Sequence, residues 1–192
     1  MTETQRNTMI GTGVGALAGA GIAKATGGKA RNGALIGAAV GGVGTYIWSS
    51  NMERQRKEME AATRGTGVNV SRTSDNQLKL DIPADVSFDS NKAIIKPAFR
   101  PVLNQFAASL KRNPQTHVII VGHTDSTGNP SINDPLSLNR ANATRDYIFA
   151  QGVRGPRIQT EGRGARQPIA SNDSAWGRSK NRRVEIFVAQ AQ

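Results

Sequence analysis

The sequence predicts an α/β protein, one sheet layered with helices, preceded by a glycine-rich helical hairpin. Apolar segments with strand spacing alternate with segments of helical spacing after residue 68, and such alternation favours a sheet with helices packed on it. Glycines recur at every fourth position before residue 48, and a charged segment separates the two regions. We therefore divide the chain into a hairpin (residues 1–48), a charged helical linker (49–67) and a globular domain (68–192).

The hairpin is predicted from an internal repeat in which glycine stands at every fourth position. The repeated glycines are Gly11, Gly15 and Gly19, followed by Gly33, Gly37 and Gly41. This spacing places each set on one helix face, where the missing side chains let two backbones approach closely. Each arm has about 16 residues, fewer than the roughly 20 that cross a bilayer. We expect the hairpin to associate with a membrane or with copies of itself; the alternative is a flexible tether.

The linker has a helical, strongly charged composition with few apolar positions. Gly65 and Gly67 follow it and are expected to end the helix. The pattern predicts a polar spacer that holds the domain away from a membrane.

The first half of the globular domain shows two strands and one helix. Residues 78–82 alternate between apolar and charged side chains, as in a half-buried strand, and residues 86–88 are expected to resume it briefly. Pro97 suits the first turn of a helix that carries apolar residues at helical spacing from Phe99 to Leu110. The apolar residues 117–121 predict a central strand.

The second half is predicted to contain a helix and two further strands. The helix opens near Ser137 and ends at Gly152, and strands follow at residues 157–161 and 183–188. The strand pairing is left open by the sequence.

Asp125 and Arg140 are the most informative pair of residues. Asp125 follows an apolar strand in a glycine-containing loop, and Arg140 is expected in the first turn of the helix that opens near Ser137. A guanidinium binds a carboxylate through two parallel hydrogen bonds, and a carboxylate accepts from an ammonium. The pair is therefore suited to a zwitterionic ligand. An ordinary salt bridge between the two residues is the alternative.

Composition limits the other function classes. The chain has 25 basic and 14 acidic residues, a net charge of +11, which suits nucleic acid, anionic lipid or an acidic polymer. No nucleic-acid-binding motif occurs, so we expect no nucleic-acid partner. Many arginines lie after residue 154, and a simple solvated basic surface remains the alternative explanation for most of them.

Catalytic and metal-binding patterns are also missing from the sequence. There is no cysteine, and two histidines without further ligand spacing are a poor metal signal. No nucleophile elbow or phosphate-binding loop is present. We expect no enzymatic activity, metal or cofactor, and His123 is expected to orient the loop that carries Asp125.

From about residue 69 to residue 188 the sequence resembles the OmpA-like peptidoglycan-binding domains of Gram-negative envelope proteins. The matching landmarks are Phe88–Asp89, Gly122–Asp125, Asn133, Leu136–Ser137, Arg140–Ala141, Gly162 and Asn181–Glu185. The glycine-rich front resembles outer-membrane lipoproteins of the YiaD type. The resemblance implies a βαβαβ(α)β sandwich. It also implies a longer precursor with a lipidated cysteine, which the printed chain lacks.

The resemblance implies a site for the meso-diaminopimelate of the peptidoglycan stem peptide, with its carboxylate on Arg140 and its ammonium on Asp125. The other expected binding residues are Phe88, Asp89, Thr127, Asn133, Leu136 and Arg182. Several have alternative interpretations: Asp89 as a turn residue, Thr127 and Asn133 as helix caps, and Arg182 as a surface charge.

These expectations combine into non-covalent anchoring of the outer membrane, or of an envelope assembly, to peptidoglycan at the periplasmic face of the outer membrane of a Gram-negative cell. One alternative is a regulatory or secretion-apparatus lipoprotein whose domain docks a protein partner. Another is a stator-type motor subunit, which requires an acidic residue in an apolar helix. Residues 10–48 contain no Asp or Glu.

Overall fold

The computed structural model describes residues 46–190, which form a five-stranded mixed sheet with helices on one face. The strands are β1 (Asn69–Arg72), β2 (Leu78–Pro83), β3 (Thr116–His123), β4 (Ile158–Gly162) and β5 (Arg183–Gln190). The helices are α1 (Ser50–Ala62), α2 (Ala84–Ser87), α3 (Arg100–Arg112), α4 (Pro130–Ala150) and α5 (Ala175–Asn181), with 3-10 turns at Pro97–Phe99 and Gly155–Arg157. The predicted glycine hairpin lies almost wholly outside the described residues.

The strand order is β1-β2-β5-β3-β4. Neighbouring strands pair antiparallel except β3 and β4, which run parallel and are joined through α4. This order brings the last residues of β2, β3 and β4 and the first residues of β5 together at one end of the strands. The four predicted strands are confirmed, and the short, mostly polar β1 is an additional edge strand.

The main core lies between the sheet and helices α3 and α4. The predicted apolar face of α3 is confirmed, since Phe99, Val102, Leu103, Phe106 and Leu110 are all buried. Residues at these spacings share one side of a helix. Burial of each large side chain contributes about 1.5–3 kcal/mol, so this face anchors the helix to the sheet.

Helix α4 begins at Pro130, and the expected start near Ser137 is wrong. Asn129 caps the helix by accepting a hydrogen bond from the Ile132 N–H at 3.3 Å. An Asn-Pro pair is a strong start signal, because Asn is a good cap and Pro fits the first helical position. The helix continues through Pro135 with the loss of one backbone hydrogen bond. Arg140 therefore lies in the middle of a long helix, not in its first turn.

Helix α1 is part of the globular unit, which corrects the interpretation of its residues as a free spacer. Met52 and Met59 are fully buried in the main core. They stand seven positions apart, two helical turns on one face. Gln55 Nε2 also donates to Ser109 Oγ on α3 at 2.9 Å. The two methionines dock the helix on the core. The sequence interpretation rested on the many charged residues and therefore missed this docking.

Two smaller differences concern the region around β2 and the second face of the sheet. Residues 84–87 form one helical turn, α2, instead of resuming the strand, because Pro83 ends β2 and Ser87 Oγ donates to the Pro83 carbonyl at 3.0 Å. Strand β5 is buried on both faces, since it lies in the centre of the sheet. No helix within residues 46–190 has the length and apolar character needed to cross a membrane.

Candidate functional site

Two glycines bring helix α4 directly onto the strand ends where the candidate site lies. Gly122 and Gly162 are register partners on β3 and β4. A Cβ on Gly122 would lie 1.9 Å from the Ser137 carbonyl oxygen, and one on Gly162 would lie 2.7 Å from the Leu138 nitrogen. Any larger residue at either position would push the helix away. The two glycines therefore set the height at which α4 carries Arg140 beside the loop after β3.

Asp125 is held in that loop by defined hydrogen bonds. Its Oδ1 accepts from the Thr127 backbone N–H at 2.8 Å, and its Oδ2 accepts from Arg182 Nη1 at 2.8 Å. Asn133 Nδ2 donates to the Thr127 carbonyl at 3.1 Å and fixes the loop to α4. Burial acts to raise the pKa of Asp125, but the bonds from Arg182 and Thr127 outweigh it and hold the pKa below its ordinary value. The carboxylate is therefore ionised at neutral pH.

Arg140 is buried, and its guanidinium is bound mainly to backbone. It is 3% exposed, and its Nε donates to the Lys92 carbonyl at 2.9 Å. A longer bond of 3.4 Å runs from Nη2 to the Asp89 carbonyl, and the guanidinium lies 5.3 Å from the centre of the Phe88 ring. Burial lowers its pKa, while the charge of Asp85 opposes that shift. An arginine nonetheless stays protonated in a protein.

Asp125 and Arg140 do not form the salt bridge that was the alternative interpretation. Asp125 is paired with Arg182, and no carboxylate within residues 46–190 forms an ion pair with Arg140. Buried charges are normally paired, because an isolated charge loses several kcal/mol of hydration. The arrangement leaves a buried cation beside an ionised carboxylate, which can receive a ligand that carries both an anion and a cation.

The structure brings the predicted residues together in two groups around this point. Thr127, Asn133 and Arg182 lie around Asp125, whereas Phe88 and Asp89 lie around Arg140. Asn133 is not the helix cap, since Asn129 has that role. Leu136 is half-buried on α4. The ligand contacts expected of all these residues remain predictions.

Asp85 is a charged residue of the site that the sequence interpretation missed. Arg182 donates to it through Nη2 at 2.9 Å and through Nε at 3.2 Å. The hydrogen bonds to Asp85, and then those to Asp125, raise the pKa of Arg182 above its ordinary value. Asp85 and Arg182 are 97 positions apart, so no local spacing in the sequence relates them.

His123 belongs to a separate group of charges on the second face of the sheet, which we call the buried cluster: His123, Glu185, Arg183 and Lys79. Glu185 is the acceptor for all three of its partners, with distances of 3.2 Å to His123, 3.0 Å to Arg183 and 3.1 Å to Lys79. In the described part of the chain, no three His, Cys, Asp or Glu side chains are grouped as a metal site would require.

Comparison with family models identifies both halves of the chain. Residues 87–182 match the model of the OmpA family, and residues 1–53 match that of the YMGG-like Gly-zipper. The chain is 45% identical over 187 residues to the probable lipoprotein YiaD of Escherichia coli K12, with 94% of this chain and 83% of that protein covered.

Other similar proteins match part of this chain. The peptidoglycan-binding protein ArfA of Mycobacterium tuberculosis is 48% identical over 103 residues, which are 54% of this chain and 32% of ArfA. The cell wall anchor of the T6SS from Pseudomonas aeruginosa is similar in structure, with a TM-score of 0.63 and 30% identity over 72% of this chain and 98% of that one. The periplasmic domain of MotB has a TM-score of 0.61 and 26% identity, covering 68% of this chain and 72% of that one.

Proposed function

This chain belongs to the OmpA family, and from that premise we propose that it anchors the outer membrane, or an envelope assembly, to peptidoglycan by non-covalent binding. The observation that carries the proposal is Arg140, a buried cation that has no carboxylate partner among the described residues and lies beside the ionised Asp125. The names of three relatives support it: one is a probable lipoprotein, one a peptidoglycan-binding protein and one a cell wall anchor.

The proposed ligand group is the side-chain end of meso-diaminopimelate, where one carbon carries both a carboxylate and an ammonium. Arg140 takes the carboxylate through guanidinium N–H groups that no protein carboxylate occupies, and Asp125 accepts from the ammonium. Phe88 and Asp89 line the Arg140 side, while Thr127, Asn133, Leu136 and Arg182 line the Asp125 side. A lysine stem has the ammonium without the carboxylate, so Arg140 would stay unpaired, which costs about 1–3 kcal/mol.

A sacculus-binding assay on the full chain tests the proposal. Arg140→Ala is expected to abolish most co-sedimentation with purified sacculi. It also removes the hydrogen bonds to the Lys92 and Asp89 carbonyls, so the thermal midpoint should fall, and binding is measured well below the midpoint of the variant. Arg112→Ala is the matched control: it removes the same charge from an exposed arginine at the end of α3, which is paired with Glu58 of α1. Equal binding by Arg140→Ala and the control would refute this site.

We place the membrane attachment of this anchor in the glycine hairpin, residues 1–48. Replacing Gly15 and Gly37 by Leu blocks close helix contact, so the full chain should lose flotation with lipid vesicles or self-association. Gly27→Leu, which changes a glycine outside the two repeated sets, is the control and should keep both. A wild-type chain that is monomeric and leaves vesicles on a salt wash would show that the hairpin is a tether.

A second candidate is docking to a protein of a motor or secretion assembly, with wall binding secondary. The likeness to MotB and to the secretion-system anchor favours it. A motor stator is less well supported, because residues 10–48 contain no acidic residue that could carry protons. Wild-type protein that fails to sediment with sacculi would favour this candidate over the anchor.

A further inference from the structure

Arg182 joins two carboxylates, and it does so unequally. It gives two N–H groups to Asp85, at 2.9 and 3.2 Å, and a single N–H to Asp125 at 2.8 Å. The exposure of the three side chains also differs: Asp85 is 58% exposed, Arg182 31% and Asp125 10%. Asp85 is thus the main anchor of this arginine at the solvent-facing rim of the site, and Asp125 is the minor partner.

This sharing matters because both oxygens of Asp125 are occupied without a ligand. Oδ1 accepts from the Thr127 backbone, and Oδ2 accepts from Arg182. Because a carboxylate oxygen can accept more than one hydrogen bond, a ligand ammonium either shares an oxygen with one of these donors or displaces the Arg182 N–H from Oδ2. Release of one N–H is easy only when the guanidinium keeps its other bonds, which here are the two to Asp85.

The charge balance of the site also indicates a role for Asp85. Asp85 and Asp125 balance Arg140 and Arg182, so the four side chains together are neutral, as suits a zwitterionic ligand. The charge of Asp85 also acts on the buried Arg140, whose pKa it raises against the effect of burial. Without Asp85 the other three side chains would carry one excess positive charge, which favours a plain anion and repels an ammonium.

We propose that Asp85 is a positioning and specificity-determining residue that holds Arg182 and thereby keeps Asp125 available to the ammonium of the ligand. This inference rests on the proposed function. In the absence of Asp85, Arg182 has Asp125 as its remaining carboxylate partner among the described residues. It then turns its paired N–H groups to Asp125 and closes the ammonium half of the site, while Arg140 stays open to a carboxylate.

The test is calorimetric titration of the full chain with two stem tripeptides. One contains meso-diaminopimelate, and the other contains 2-aminopimelate, which keeps the side-chain carboxylate and lacks the ammonium beside it. Asp85→Asn is expected to weaken binding of the diaminopimelate peptide about tenfold, a difference of about 1.4 kcal/mol. Binding of the aminopimelate peptide should stay equal or become tighter. Asp85→Glu should restore most of the loss.

Two controls separate this role from a structural one. Asp146→Asn removes an equally exposed carboxylate that is paired with Arg145, and it should leave both affinities unchanged. In an Arg182→Ala background, Asp85→Asn should change diaminopimelate binding by less than about twofold, because the coupling through Arg182 is gone. Equal loss for both peptides, no loss for either, or a full loss in the Arg182→Ala background would each overturn the inference.

Failure of the underlying function has a different signature. If wild-type protein does not bind the diaminopimelate peptide, or if Arg140→Ala binds it as well as wild type does, the proposed function is wrong whatever Asp85 does. If wild type binds, Arg140→Ala does not, and Asp85→Asn behaves as wild type, the anchor stands and only the role of Asp85 is overturned.

Discussion

Arg182 and Arg183 are neighbours in the chain, yet they belong to two charge groups of opposite character at the same edge of the sheet. Arg183 lies in the buried cluster, where Glu185 accepts from Arg183, His123 and Lys79, and where the side chains of Glu185, His123 and Arg183 are at most 4% exposed. Arg182 lies in the open site with Asp85, Asp125 and Arg140. The two groups contain the same kinds of residue, so residue type alone does not distinguish a structural cluster from a binding site.

The difference lies in whether each charge has a partner inside the protein. In the buried cluster the central carboxylate of Glu185 has three donors at hydrogen-bonding distance, so this carboxylate needs no ligand. In the open site the buried Arg140 donates to backbone oxygens and has no carboxylate partner within residues 46–190, and Asp125 shares Arg182 with Asp85. Substitutions in the first group should therefore change stability, and those in the second should change binding.

The largest expected effect is the loss of the central carboxylate of the buried cluster. Glu185→Ala leaves the buried cation Arg183 without its carboxylate acceptor, and loss of one partner of a buried ion pair typically destabilises a protein by about 3–5 kcal/mol. The free energy of unfolding from urea titration of the full chain measures it. Glu58→Ala, which removes an exposed carboxylate paired with Arg112, is the control and should lower stability by at most about 1 kcal/mol. A loss at Glu185 no greater than that of the control would end the distinction between the two groups.

The next effect, of intermediate size, is the discrimination between stem peptides by the open site. A diaminopimelate peptide should bind about tenfold more tightly than its lysine analogue, a difference of about 1.4 kcal/mol. The gap should persist at high salt, because it depends on a desolvated contact with Arg140, and Arg140→Ala should erase it. Attraction by the net charge of +11 would instead give equal affinities that fall together as salt screens exposed charges over about 10 Å at 0.1 M.

The sequence predicted the fold and the charged residues of the open site to different degrees. Strand and helix spacing predicted the strands β2 to β5 and the core face of α3, because burial imposes a period on apolar residues. Of the open site, Asp125, Arg140 and Arg182 were expected to be binding residues, and Asp85 was missed. Which charges meet was not predictable, since the Asp85–Arg182 pair depends on the sheet order that places the ends of β2 and β5 side by side.

The start of α4 and the docking of α1 show the limits of the local pattern. A proline inside a helix argues against it locally, yet α4 runs past Pro135, and Ser137 and Leu138 just after it pack closely on Gly122 and Gly162. Helix α1 was read by its many charges, although two buried methionines determine where it lies. In both cases tertiary contacts outweigh local propensity.

The smallest expected effect is the pH dependence contributed by His123 in the buried cluster. Burial, more than its other surroundings, lowers the pKa of His123, and the unpartnered Nδ1 beside an Nε2 bound to Glu185 fits a neutral ring. The unfolded chain has an ordinary histidine pKa of about 6.5. Because the folded pKa is the lower of the two, the unfolded state binds its proton first. The contribution of His123 to stability is therefore complete above about pH 6.5 and declines as the pH falls below it.

Unfolding free energies measured at pH 7.5 and pH 5.5 should differ by about 1 kcal/mol on this account, with the lower stability at pH 5.5. The carboxylates with lowered pKa, Glu185 and Asp125, stay ionised throughout this window, so they add their own losses only at more acidic pH. Asp81, beside Lys79, has a pKa that burial raises, and it acts in the opposite direction to His123. His123→Gln should flatten the difference, while His117→Gln, which changes the other histidine of the chain, should preserve it. If both variants keep the wild-type difference, the neutral buried imidazole is not its source. The structural role of the buried cluster would then be supported by Glu185 alone.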